Sequence, residues 1–569
     1  MNSNGINNTA IGNYALDANT TGTYNTAVGR SALTGNTTGA QNIAVGYQAL
    51  NSNTTGDYNI AMGYGALYTA TTPDQNTAIG YQAMFYTTTG ADNTALGAYA
   101  LVTNTTGEKN VALGYAAMHD NTTGSNNIAI GENCLADNTT ADNNVAIGMD
   151  ALRLNTTGAH NIAVGTYAGD AITTGGSNTA VGGNALGSNS TGDYNTAMGY
   201  EALASTTVDE QTAFGYGAMN QNTTGTGNVA VGFRAKRYGT GHNNCTAVGY
   251  YALQGTNGYN ATHSNTAVGY QALKVTSTGS DNVAMGYNAM VANTTGASNI
   301  AIGNAAFDAN TTGSNCTAVG SAAMSKCDGA EKNTGIGRQA MYELTTGDDN
   351  TAVGYNAMTL LTTGYHNVAV GSMAGDNQTT GYDNVYLGDN AGNTHSSGYR
   401  CIYVGRANDS SATDANNEIV IGAGLGAKGS ETAYIGGTGG AYNEANSSSW
   451  QTTSDRRIKK NITNNTTGLD KINQITVRNF EYKTEDEIKT DNPELTDVVK
   501  SAVVNKEGLQ VGSIAQEIEE VLPDVVNTNQ MGIKSVNTDN LTWYLVNAVK
   551  ELSTQNEALV ARITALESN

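Results

Sequence analysis

The chain has 569 residues, a formal net charge of −22, 70 glycines, 3 prolines and 13% charged residues. So acidic a chain lacks the basic face that phosphate binding needs, which excludes nucleic acid and anionic membrane surfaces as partners. No apolar run of about 18 residues occurs, so no membrane insertion is expected, and the opening MNSNGINNTA has neither the basic start nor the apolar stretch of a secretory signal.

The glycine of the motif Asn-Thr-Ala-Val-Gly recurs from Gly12 through Gly29, Gly46 and Gly63 to Gly199 in steps of 17. It continues at Gly215, Gly232 and Gly249, then runs from Gly269 to Gly422 in steps of 17 again. These 25 markers with two irregular intervals mean a solenoid of stacked units over residues 1–436. The residue before the marker is apolar in all 25 units, Ala stands two before it in 21 and three after it in 22, and these positions are expected to be buried. Seventeen residues suit one parallel β-coil of two short strands, here Asn42–Gly46 and Tyr47–Leu50, joined by the turn Asn51–Tyr58. In that turn Asn and Thr side chains satisfy local backbone groups, and the Gly of Asn-Thr-Thr-Gly is expected to take φ > 0. The same turn chemistry accounts for the Asn-Thr-Thr triplets, which are formal glycosylation sequons.

Asn occupies the position four before the marker in 20 units, so its amides are expected to superimpose in a hydrogen-bonded column. Cys245, Cys316 and Cys401 stand at that same position as small replacements. With Cys134 and Cys327 they make five cysteines without a CxxC pair, which signals free thiols made in a reducing cytoplasm, with no metal site and no cofactor. At about 4.7–4.8 Å per coil the stack would be a rod on the order of 120 Å long. Each coil carries mostly Ala and one larger apolar side chain, so three chains packed about an axis would complete the core, and a homotrimer is expected.

The pattern Asn-Thr-Ala-Val-Gly-Tyr-x-Ala-Leu resembles the head repeats of trimeric autotransporter adhesins, which form parallel β-rolls, and is similar to repeats of phage tail fibres. The resemblance spans roughly residues 8–440. Adhesin head units are shorter, and no counterpart of their C-terminal membrane barrel is expected here.

After Gly436 the repeat stops, and residues 437–453, small and polar apart from Trp450, are expected to form a neck or linker. From Ser454 onward Lys, Glu, Ile and Leu increase, which predicts a separate small α/β domain over residues 454–569. Leu469–Ile472 predicts helix and Val477–Tyr482 alternates as a strand. Leu545, Leu552, Leu559 and Leu566 stand seven apart, with Val549, Asn556 and Ile563 at the other seam positions. That spacing predicts a coiled coil over Leu541–Glu567, about 40 Å long, in which Asn556 helps set register or chain number. The competing reading is an amphipathic helix packed on its own domain.

Three segments, SDRRIKKNI at 454–462, VGSIAQEIEEVLPDVV at 511–526 and NLTWYLVNAVKELSTQNEALVARI at 540–563, resemble the intramolecular chaperone domain of endosialidase-type phage tailspikes. That family cleaves itself and is found in other tail fibres too. The resemblance implies a domain that trimerises, guides folding of the β-structured fibre and then cuts the bond before the serine of the first segment. In this chain the bond is Thr453–Ser454; Ser454 matches the nucleophile and Lys459 the lysine of a Ser–Lys dyad, with Lys460 the weaker candidate. A serine hydroxyl needs a base to take its proton, and lysine serves only when neutral. Burial and the like charges of Arg456, Arg457 and Lys460 would depress the Lys459 pKa, so burial at a trimer interface would switch the dyad on only after assembly.

The expected product is a virion tail fibre, synthesised in the host cytoplasm, that joins other virion tail proteins and binds a host cell-surface receptor, a glycan. The alternatives are a tailspike depolymerase of surface polysaccharide and a bacterial surface adhesin. A depolymerase needs paired carboxylates in a groove, and the scattered acids Asp57, Asp74, Asp92, Glu108 and Asp193 supply no such motif. An adhesin needs a signal peptide and a membrane anchor. Tyr24, Tyr58, Tyr194 and Tyr365 either stack on sugars or line a coil surface. The sequence starts almost directly in the repeat, as expected for one piece of a larger fibre or for a truncated chain.

Overall fold

The computed structural model describes residues 4–256, 263–436, 441–443, 456, 459–491, 508–528 and 534–568. The chain divides into two units, Met1–Thr453 and Ser454–Asn569. In the first, three-residue strands from β1 (Thr9–Ile11) to β26 (Ala433–Ile435) pair in parallel, one per coil. Equivalent positions face each other, so Ala44 pairs with Ala61 and Val45 with Met62. A last strand, β27 (Ala441–Asn443), pairs antiparallel with β26. This is the parallel β-solenoid of 17-residue coils that the period predicts.

The second strand of each coil does not form. Ala49 and Leu50 are both buried, whereas a strand with one face inward would bury only alternate residues. The chain bends instead through alternating hands, with φ of 58° at Gln48 and 50° at Leu50. Left-handed backbone costs an ordinary residue about 1–2 kcal/mol. Hydrogen bonds to both neighbouring coils offset it: Gln48 N–H donates back to Arg30 O at 3.0 Å, and Leu50 N–H donates forward to Ala66 O at 2.8 Å.

Glycine is also used differently from expectation. Each marker from Gly12 to Gly422 holds positive φ, 126–145°. A Cβ on Gly46 would stand 2.4 Å from the Gly63 carbonyl oxygen. The glycine of Asn-Thr-Thr-Gly is needed for close approach rather than for φ, since a Cβ on Gly39 would lie 2.5 Å from both Gly56 O and Asn36 Oδ1.

Each coil seals a small core. Around Gly46 it consists of Ala44, Ala49 and Leu50 with Asn42 and Asn53. The apolar residue before the marker lies outside that core, because strand alternation points it away from Ala; Met62, Leu96 and Ile130 are 40%, 48% and 38% exposed.

The expected Asn column is present. Asn42 N–H donates to Asn25 Oδ1 at 2.9 Å, while Asn42 Nδ2 donates to Asn25 Oδ1 at 3.2 Å and to Gly56 O at 2.8 Å. A second column, unforeseen from sequence, passes through the turn Asn: Asn36 Nδ2 donates to Asn19 Oδ1, and Asn53 Nδ2 to Asn36 Oδ1, both at 2.8 Å. The backbone N–H groups of Cys245, Cys316 and Cys401 bond the Asn Oδ1 one coil back at 2.9–3.1 Å, so these residues keep their place in the first column. All five cysteines are buried. Burial pushes the Cys134 thiol up to about 12 and that of Cys316 to about 11, which leaves them unreactive.

The second unit holds α1 (Leu469–Ile472), β28 (Arg478–Phe480), α2 (Glu485–Asp491), β29 (Gln510–Gly512), α3 (Ala515–Val521), β30 (Val526–Thr528), β31 (Lys534–Val536) and the 30-residue α4 (Thr538–Glu567). β28 pairs antiparallel with β29, and β30 with β31. Ile518, Leu522, Val525 and Tyr544 form its core.

Candidate functional site

The segment expected to carry the chemistry is described only in part. Thr453, Ser454 and Arg457 lie outside the described residues. Arg456, Lys459 and Lys460 are exposed, and Lys459 N–H donates to Arg456 O at 3.3 Å. The single chain therefore does not bury Lys459.

The chain that follows this segment is anchored to α4. Asn547 Nδ2 donates to Asn465 O at 2.9 Å and to Thr467 O at 3.2 Å. Glu551 Oε2, one turn on, accepts from Leu469 N–H at 2.8 Å. Asn547 and Glu551 are four apart and so share one helix face, a spacing visible in the sequence, but their partners are some 80 residues away in the chain and only folding reveals them. Asn537 caps α4, its side chain accepting from Asn540 N–H at 3.1 Å. Tyr544 OH donates to Asp524 Oδ2 at 2.5 Å, and this bond raises the phenol pKa. Arg478 grips Glu517 with Nη2 at 2.8 Å and Nε at 3.2 Å, which links β28 to α3 across an exposed surface.

Beyond these contacts α4 presents an exposed apolar line. Leu545, Val549, Leu552, Leu559, Ile563 and Leu566 are 45–71% exposed. The helix thus packs on its own domain through Leu541, Tyr544 and Ala548 and leaves its heptad seam bare.

On the solenoid the acids serve the backbone. Asp57 Oδ1 accepts from Ala40 N–H at 2.7 Å, Asp74 Oδ1 from Asp57 N–H at 2.7 Å, and Asp193 Oδ1 from Gly176 N–H at 2.6 Å. Asp92 and Glu108 are exposed. Tyr24, Tyr58 and Tyr194 are exposed singly, whereas Tyr365 stacks on Tyr382 at 4.9 Å and Tyr382 on Tyr399 at 5.0 Å. Rings stacked this way cover each other's faces, the surfaces a sugar would need. Among the described residues no group of three His, Cys, Asp or Glu side chains is placed to hold a metal, and no helix is long and apolar enough to cross a membrane.

Residues 454–527 match the family described as chaperone of endosialidase. The match includes the first two of the three resembling segments and ends before α4. No curated protein and no solved structure matches the chain. A β-solenoid followed by an endosialidase-type chaperone domain supports a chaperone-bearing, tail-fibre-like protein.

Proposed function

We propose that three copies of this chain form a fibre shaft, that residues 454–569 guide its folding, and that the chaperone then releases itself by cutting Thr453–Ser454. Ser454 is the nucleophile and Lys459 its base. The shaft belongs to a virion tail, where it joins other tail proteins and attaches to a glycan receptor on the host surface.

The observation that carries this reading is the pair of bare apolar lines, one in each unit. The residues before the marker glycines run outward along the whole strand ladder, and the α4 seam runs from Leu545 to Leu566. A monomer ordinarily exposes no contiguous apolar patch beyond roughly 300–600 Å². Three copies joined at these lines satisfy both units at once. Assembly would also bury Lys459, which is exposed in the single chain, and so ties cleavage to a completed trimer.

The test compares the wild-type chain with Ser454→Ala by denaturing gel and by light scattering. The expected wild-type product is a trimer of shafts ending at Thr453, while the variant stays whole and trimeric. A variant that still splits near residue 453 excludes Ser454 as nucleophile, and monomeric particles in both samples exclude the trimer.

A further inference from the structure

The coil led by Gly232 departs from the repeat at three positions together. Lys236 stands where most other coils carry Leu or Met, Gly239 where many carry the second-column Asn, and His242 where most carry the turn Gly. Lys236 and His242 are sealed from solvent, at 0% and 1% exposure. The His242 ring fills the gap in the column, since a Cβ on Gly239 would lie 2.4 Å from its Cε1. Neither ring nitrogen has a hydrogen-bond partner among the described residues. With the column interrupted, Asn222 Oδ1 in the preceding coil receives Lys236 Nζ at 3.3 Å in place of an amide.

A buried ammonium without a carboxylate is costly. Among the described residues the Lys236 amine bonds only Asn222, and burial pushes its pKa down to about 8, so mildly alkaline solution leaves much of it neutral. A neutral amine held against an amide carbonyl, away from water, is a nucleophile facing an acyl carbon.

We infer that Lys236 and Asn222 become joined by an isopeptide bond linking successive coils. The Lys236 nitrogen attacks the Asn222 side-chain carbon, which lies one bond of about 1.23 Å beyond Oδ1. The bond from that carbon to Nδ2 breaks, and Nδ2 takes one amine proton and leaves as ammonia. An amine and a primary amide become a secondary amide and ammonia, with no oxidant and no co-reactant. The product carries no buried charge and staples the solenoid between its two irregular intervals, after Gly199 and after Gly249.

Intact mass and peptide fragmentation of the full-length chain test this. The expected wild-type chain is lighter by one ammonia, resists trypsin after Lys236, and yields a branched peptide joining Lys236 to Asn222. Lys236→Met, which installs an apolar residue that several other coils carry, restores the full mass. A folded wild-type chain of full mass after prolonged mildly alkaline incubation overturns the inference. So does ammonia loss at Asn222 with no branched peptide, the signature of a succinimide.

Discussion

Tyr386 fills the volume that Gly392 leaves free, for a Cβ on Gly392 would lie 2.4 Å from Tyr386 Cδ1. Gly375 yields to the other edge of the same ring, its Cβ falling 2.8 Å from Tyr386 Cδ2. Most other coils carry Ala where Tyr386 stands and Leu or Met where the two glycines stand, so large and small residues have exchanged places across the core. Core volume is conserved while its polarity rises, since the buried Tyr386 hydroxyl meets His395 Nδ1 at 2.6 Å and donates to Gln378 Oε1 at 3.0 Å.

Gly392→Ala is expected to destabilise the shaft by about 1–3 kcal/mol through overpacking, with added strain from φ of 69°. Tyr386→Ala should cost about 3–5 kcal/mol by opening a cavity. Together they should cost less than their sum, because the new methyl enters the space the ring vacates. Chemical denaturation of the two single variants and the double variant measures the coupling; strict additivity would mean the two residues do not share one volume.

The inner Asn column makes a second prediction about stability. Asn59 N–H donates to Asn42 Oδ1 at 2.9 Å inside the coil, so Asn42→Ala strands a buried donor and should cost about 1–3 kcal/mol. Asn42→Cys should cost less, because sulfur takes up this role elsewhere: Glu418 N–H donates to Cys401 Sγ at 3.4 Å. Denaturation midpoints of the two variants should rank Cys above Ala.

The period, the inward Ala positions and the first Asn column were legible because identical units stacked in register must superimpose their side chains. Gln48 and Leu50 were misread, since handedness alternation in a bend imitates the two-residue alternation of a strand, and only the simultaneous burial of Ala49 and Leu50 tells them apart. Met62 and its equivalents were taken for core because apolar character does not record which side of a three-residue strand faces inward. In the second unit the motifs marked Ser454 and Lys459, but the grip of Asn547 and Glu551 on residues 465–469 depends on a fold that spacing does not encode. The departure at Lys236 was plain in the sequence, whereas the facing Asn222 carbonyl follows only from coil stacking.

Asn222→Ala leaves the Lys236 amine without an acyl partner, and its titration then shows in stability. Burial holds the folded pKa near about 8, against an ordinary 10.5. Between those values the unfolded chain binds more protons than the folded one, so stability rises with pH across that window and the penalty is fully present below it. At 1.36 kcal/mol per unit the rise is about 3 kcal/mol. Measured from mildly acidic to alkaline pH, Asn222→Ala should gain this increment relative to Lys236→Met, which has no amine to titrate. Parallel curves for the two variants would mean that the amine reaches solvent.

The α4 seam separates assembly from domain folding. Leu552 is 54% exposed and lies outside the domain core of Ile518, Leu522, Val525 and Tyr544, so Leu552→Lys should leave the second unit folded and helical by circular dichroism. A lysine at a heptad core position cannot be desolvated cheaply, and the trimer should weaken until monomers appear in light scattering at micromolar concentration. The proposed cleavage at Thr453–Ser454 should fall with it, since Lys459 is exposed in the single chain and loses the burial that assembly would give it. Tyr544→Ala provides the contrast: it removes a core ring and strands Asp524, so helicity and assembly should fail together. If Leu552→Lys remains trimeric and cleaves at the wild-type rate, the bare seam of α4 is not where the chains meet.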